Sequence, residues 1–114
     1  MEKLLKLAEE EMKELRHPYV GTEHLMLAFL KKYNIIGIDY DTYKKFVIEI
    51  IGMSHSVSPY LLYTPLMRKI VNKYKDVKSA MLAVLSNDDA IAYNILLSKK
   101  IDIEKLYLTV MNTL

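Results

Sequence analysis

The chain has 114 residues, room for one domain that buries roughly two-thirds of its unfolded surface in a core of its own. Its 16 basic and 14 acidic residues leave a net charge of +2, too little for a nucleic-acid binder that works by bulk phosphate neutralisation. Zero cysteines exclude disulfides, thiolate metal sites and a cysteine nucleophile. No uncharged apolar run is long enough for a membrane span, and acidic residues interrupt the N-terminal MEKLLKLAEEEMKEL, so it does not read as a secretory signal. The expected address is the cytoplasm. None of the three glycines stands in a GxxxxGKS/T or GxGxxG frame, so ATP- or NAD-binding loops of those types are ruled out and no cofactor is expected.

Helical periods then follow one another along the chain. From Glu2 to Arg16 the residues Leu4, Leu5, Leu7, Ala8, Met12 and Leu15 gather on one face, and Pro18 ends the helix. Thr22 reads as the N-cap of a second helix carrying the apolar run Leu25–Leu30. A third starts near Asp39 or Asp41, with Tyr43, Phe46, Val47, Ile50 and Ile51 as its stripe and Gly52 past its end. Residues 53–63, with Ser54, Ser56, Ser58 and Pro59, read as a linker. Thr64-Pro65 opens the next helix, with Leu66, Met67, Ile70, Val71 and Tyr74 as its stripe. Asp76 caps a short helix through Leu85, Ser86 or Asn87 caps another to about Ser98, and Asp102 caps the last. Asn34–Ile38 and Val57–Tyr63 are short strand-like candidates flanked by helices. The fold class expected is all-α, with about seven to eight short helices in one domain over residues 1–114.

An internal repeat organises these helices. Leu27-Ala28-Phe29-Leu30 is echoed 55 residues later by Leu82-Ala83-Val84-Leu85. Downstream, Ile36-Gly37-Ile38-Asp39 resembles Lys100-Ile101-Asp102, and each leads into an amphipathic helix. Repeat one covers about residues 1–52 and repeat two about 64–114, as a pseudo-two-fold tandem.

The stretch Val20-Gly21-Thr22-Glu23-His24-Leu25-Met26-Leu27-Ala28-Phe29-Leu30, with the second opening Tyr63-Thr64-Pro65, resembles the Clp N-terminal (Clp repeat) domain of ClpA- and ClpC-like unfoldases. Its second copy has diverged to Asp76-Val77-Lys78-Ser79-Ala80-Met81-Leu82-Ala83-Val84-Leu85, without the Gly, Thr, Glu and His. The resemblance implies a non-catalytic module that binds protein substrates, degradation tags or adaptors for a Clp ATPase in cis or in trans. It also implies that Glu23, with Thr22, belongs to a pocket for an arginine-phosphorylated peptide. Lys78 at the matching place in repeat two would repel a guanidinium, so one such site at most is expected. Thr22, Glu23 and His24 are the candidate ligand-contacting residues, with no nucleic acid or membrane as partner.

The remaining chemistry is sparse. His17, His24 and His55 show no metal-ligand spacing, and His24 reads as a partly buried hydrogen-bonding residue at a helix start. Glu9, Glu10 and Glu11 read as a solvated face, and Asp88-Asp89 as first-turn residues that suit a helix dipole. Met26, Met67 and Met81 read as core, and the nine tyrosines as packing or semi-exposed surface. The lysines are spread through the chain, a solvated mixed-charge surface. A small helical DNA-binding protein, with a helix-turn-helix around residues 64–85, and an oligomerising module with Tyr and Met patches are the alternatives.

Overall fold

A computed structural model describes residues 1–53 and 60–114. Residues 54–59 of the expected linker, with the first three positions of the strand-like candidate Val57–Tyr63, lie outside the described residues. The elements are α1 (Glu2–Leu15), α2 (Thr22–Lys32), α3 (Tyr40–Ile51), α4 (Pro65–Lys73), α5 (Val77–Leu85), α6 (Ile91–Ser98) and α7 (Ile103–Thr113). The all-α class predicted from periodicity is what the chain adopts. Among the described residues the β contacts amount to one isolated parallel bridge, Val20 to Tyr63, tying the entry to α2 to the entry to α4.

Four predicted caps form. Asp39, Thr64, Asp76 and Asp102 accept from the backbone N–H of Thr42, Met67, Ser79 and Lys105, satisfying donors that a helix start leaves free. Two starts differ from expectation. Gly21, not Thr22, is the cap of α2, because the side chain three residues on, His24, turns back to the Gly21 N–H. Ala90, not Ser86 or Asn87, precedes α6: Asn87 spends its side chain on the Asp89 N–H, closing a turn that also holds Asp88 and Asp89 ahead of the helix.

The core forms around α2. Every residue from Thr22 to Leu30 is buried, as a helix apolar on nearly all sides requires, and α1, α3 and α6 pack around it. In the second half α5 takes the central place, packed by α4, α6 and α7. The LAxL echoes therefore lie on the two central helices. Repeat one passes from α2 to α3 through a short irregular segment, whereas repeat two fits the eight residues of α6 between α5 and α7.

Stripe assignments shift in α3, where only Tyr43 and Val47 are buried while Ile48, Ile50 and Ile51 are exposed. Neighbouring helices cover one side of α3 alone. Met26, Met67 and Met81 are core residues, as expected. α5 buries Ala80, Met81, Val84 and Leu85, while Val77, Lys78, Ser79, Leu82 and Ala83 are half-buried.

Candidate functional site

The motif around Glu23 is built from three helix ends. α1 stops when Arg16 enters the left-handed region at φ 58, and the His17 N–H closes the end on the Met12 carbonyl at 3.1 Å. This turn drives the His17 ring inward, where Pro18 then forces the chain extended toward Val20. The Val20 N–H donates to Leu62 O at 2.7 Å and Val20 O accepts from Thr64 N–H at 3.0 Å, which holds the segment entering α2.

Donor roles in the buried centre follow from one obligatory donor. The Gly21 N–H donates to His24 Nδ1 at 2.9 Å, so a neutral His24 carries its hydrogen on Nε2. That hydrogen points at His17 Nδ1, 2.8 Å away, and His17 in turn donates from Nε2 to the Gly52 carbonyl at 2.7 Å. A chain of three hydrogen bonds thus links the start of α2, the end of α1 and the residue after α3. Burial and the adjacent His17 push the His24 pKa down to about 3. His24 Nδ1 also lies 3.7 Å from Glu23 Oε1, but a neutral, proton-accepting imidazole makes this a polar approach and not an ion pair.

Glu23 is folded back over Gly21. A Cβ on residue 21 would meet Glu23 Oε1 at 2.0 Å, so a larger residue there would displace the carboxylate from this position. The residue is 5 % exposed, and Oε1 has no hydrogen-bond partner. Burial raises its pKa to about 7, opposed by the helix-start N–H of its own residue. Tyr43 from α3 donates to the Glu23 backbone carbonyl at 3.4 Å, and burial drives the phenol pKa well up.

Thr22 faces the second repeat. Its Oγ1 accepts from the Ala92 N–H in the first turn of α6 at 3.2 Å, satisfying a donor that α6 leaves free. Thr22, Glu23 and His24 are therefore brought together, as the sequence suggested, but all three are buried. His24 is fully buried and not merely partly so. Nothing here provides a nucleophile beside a base, and among the described residues no three His, Cys, Asp or Glu side chains are placed to hold a metal ion.

A second buried polar centre escaped the sequence reading. Glu11 is not on a solvated face: it is 1 % exposed, accepts from the Tyr40 hydroxyl at 2.5 Å, and lies 3.6 Å from both Lys31 and Lys44. Position 11 shares the inward face of α1 with Leu4, Ala8, Met12 and Leu15, so its helical phase was the available signal. Tyr63 likewise donates to Glu9 at 2.7 Å, joining α1 to the start of repeat two. His17 had no such signal, since seven residues of spacing across a proline turn carry no periodicity.

Surface concavities among the described residues lie outside the buried Thr22–His24 group. One of about 400 Å³ runs between α4 and α5, another of about 330 Å³ lies beside Tyr33 and Tyr40, and a third of about 380 Å³ is bounded by Tyr19, Leu61, Leu62, Tyr63 and Arg68. No helix among the described residues is long and apolar enough to cross a membrane.

No family model matches the chain. It is similar to a "Probable ATP-dependent Clp protease ATP-binding subunit" of Chlamydia pneumoniae, 28% identical over 120 aligned positions that cover 87% of this chain and 14% of that protein. It is also similar to the "Negative regulator of genetic competence ClpC/MecB" of Bacillus subtilis (strain 168), 30% identical over 83 positions that cover 66% of this chain and 10% of that protein. The chain thus spans only 14% and 10% of the lengths of these curated relatives, and what it is similar to is a short portion of Clp-type subunits.

Proposed function

We propose that the chain is a non-catalytic protein-binding module of a Clp unfoldase–protease system. It would hold protein substrates, degradation tags or adaptors for a Clp ATPase in the same polypeptide or in a partner. The observation that carries this reading is the similarity to one Clp subunit over 87% of the chain and to a second over 66%, in a sequence that has no GxxxxGKS/T frame of its own. Exposed apolar side chains, among them Tyr19, Leu61 and Leu62 around one concavity, supply surface on which a partner can be held.

Thr22, Glu23 and His24 enter this reading as contacts for an arginine-phosphorylated peptide. Glu23 would take the guanidinium and N–H groups at the start of α2 would turn to the phosphate. Because all three side chains are buried, such a ligand requires the α2 start to open. An NMR titration with an arginine-phosphorylated peptide, its unmodified twin and a Glu23→Ala variant tests this. Shifts over Val20–Leu25 seen with the phosphorylated peptide alone, and lost in the variant, support it. Silence removes the ligand role of Glu23. If an unfolded protein substrate is also silent, the binding-module reading falls with it.

A further inference from the structure

Net charge is not evenly divided along the chain. Residues 64–85 hold five of the 16 basic residues, Arg68, Lys69, Lys73, Lys75 and Lys78, and one of the 14 acidic ones, Asp76. The carboxylate of Asp76 is engaged in capping α5, where it accepts from Ser79 N–H at 2.9 Å. This stretch therefore carries +4, leaving −2 for the rest of a chain whose total is +2. In repeat one Lys31 and Lys44 lie against Glu11 and Glu14, whereas among the described residues none of the five cations here has an ion pair.

Two of these cations border the groove of about 400 Å³ between α4 and α5. Leu66, Ile70 and Tyr74, each four residues from the next, line it along one face of α4, and Lys69 and Lys73 stand four residues apart beside them. Lys73 Nζ sits 5.4 Å from the Tyr74 ring centroid, so its charge is held over the apolar floor. Ala83 lies on the α5 side and Asp88, in the turn after α5, stands at the groove as its one carboxylate.

We propose that this groove docks an acidic amphipathic peptide segment, apolar residues on the floor and carboxylates one helical turn apart against Lys69 and Lys73. The partner class follows from charge and shape together. A nucleic acid would satisfy the lysines but leave the Leu66, Ile70 and Tyr74 floor unused. A wholly apolar segment would leave the lysines unused. The inference rests on the reading of the chain as a protein-binding module and names one surface and one chemistry for it.

The test is an NMR titration of the whole labelled chain with a synthetic amphipathic peptide whose polar face is glutamate, its lysine twin, and a duplex DNA oligonucleotide. The expected result is shifts confined to residues 64–88 with the glutamate peptide, weakened by salt and absent with the lysine twin. The double reversal Lys69→Glu/Lys73→Glu should weaken the glutamate peptide at least about tenfold and admit the lysine twin, because like charges across a groove repel. Both side chains are exposed, so the variant should melt as the parent does, which separates lost docking from lost folding. Shifts centred elsewhere overturn the groove and leave the module reading standing. Tighter binding of DNA in the groove overturns the choice of partner. Absence of shifts overturns the proposal, while the phosphorylated-peptide and unfolded-substrate titrations judge the wider reading separately.

Discussion

His17 Nδ1 lies 2.8 Å from His24 Nε2, and this contact sets the tautomers of both rings, because Gly21 N–H occupies the other nitrogen of His24 and Gly52 O the other nitrogen of His17. The pair joins the end of α1 to the first turn of α2 with no charge in the core. Replacing His24 by alanine removes two hydrogen bonds, strands the Gly21 N–H and opens a void. The expected loss is about 3–4 kcal/mol. His17→Ala should cost less, since His17 is nearer the surface. In a double-mutant cycle by urea unfolding the two should couple by about 1–2 kcal/mol, whereas independent losses would mean that the contact contributes nothing of its own.

Glu23 and His24 should shape the pH dependence of stability in opposite directions. The folded pKa of Glu23, about 7, lies above its ordinary 4.5, so its contribution is fully present below pH 4.5 and is lost as pH rises through 7. The folded pKa of His24, about 3, lies below its ordinary 6.5, so its contribution is present above pH 6.5 and is lost as pH falls toward 3. Between pH 4.5 and 6.5 the two nearly cancel. Glu23→Gln, neutral throughout, isolates one side. Its melting temperature relative to the parent should rise from pH 4.5 to pH 8, by an amount equivalent to as much as about 3 kcal/mol. A difference that does not change with pH would show that the carboxylate is solvated in the folded state.

Gly21 matters through proximity and not through its backbone dihedral. Its φ of −120 is open to any residue, yet a Cβ there would meet Glu23 Oε1 at 2.0 Å. Gly21→Ala must displace the end of the flexible Glu23 side chain, so the expected loss in thermal or urea melts is modest, about 1 kcal/mol. The double variant Gly21→Ala/Glu23→Ala, which clears the obstructing carboxylate, should recover most of that. No recovery would place the clash elsewhere.

Thr22 holds the two repeats together through the Ala92 N–H at 3.2 Å. Thr22→Val keeps the shape and removes the acceptor, leaving a buried donor unpaired at a cost of about 1–2 kcal/mol. Amide exchange gives a local readout: Ala92 should exchange faster in the variant than in the parent by more than the global loss explains. An Ala92 rate that merely tracks the global change would show that the bond does not hold the halves.

Much of the fold was legible in the sequence because its signals act within a few residues. Asp39, Thr64, Asp76 and Asp102 each cap a donor three residues on, and Pro18 acts on the residue before it. Where a local reading failed, two local options competed. Asn87 could cap α6 or close a turn on Asp89, and it did the latter. Position 22 suited a hydroxyl cap, but His24 reached the Gly21 N–H first, which left the Thr22 hydroxyl for Ala92.

By itself, then, the sequence determined the all-α class, the order of the helices, most of their caps and the grouping of Thr22, Glu23 and His24. These depend on period, proline and side-chain reach, which are properties of adjacent residues. Only the tertiary structure decided what those residues meet. It placed Glu11 against Tyr40 across 29 residues, His17 against Gly52 across 35 and Thr22 against Ala92 across 70. It alone made Glu23 a buried carboxylate and gathered Lys69 and Lys73 beside a groove. The physical reason is that solvation and charge density are set by everything within a few ångströms in space, and packing chooses those neighbours without regard to their distance along the chain.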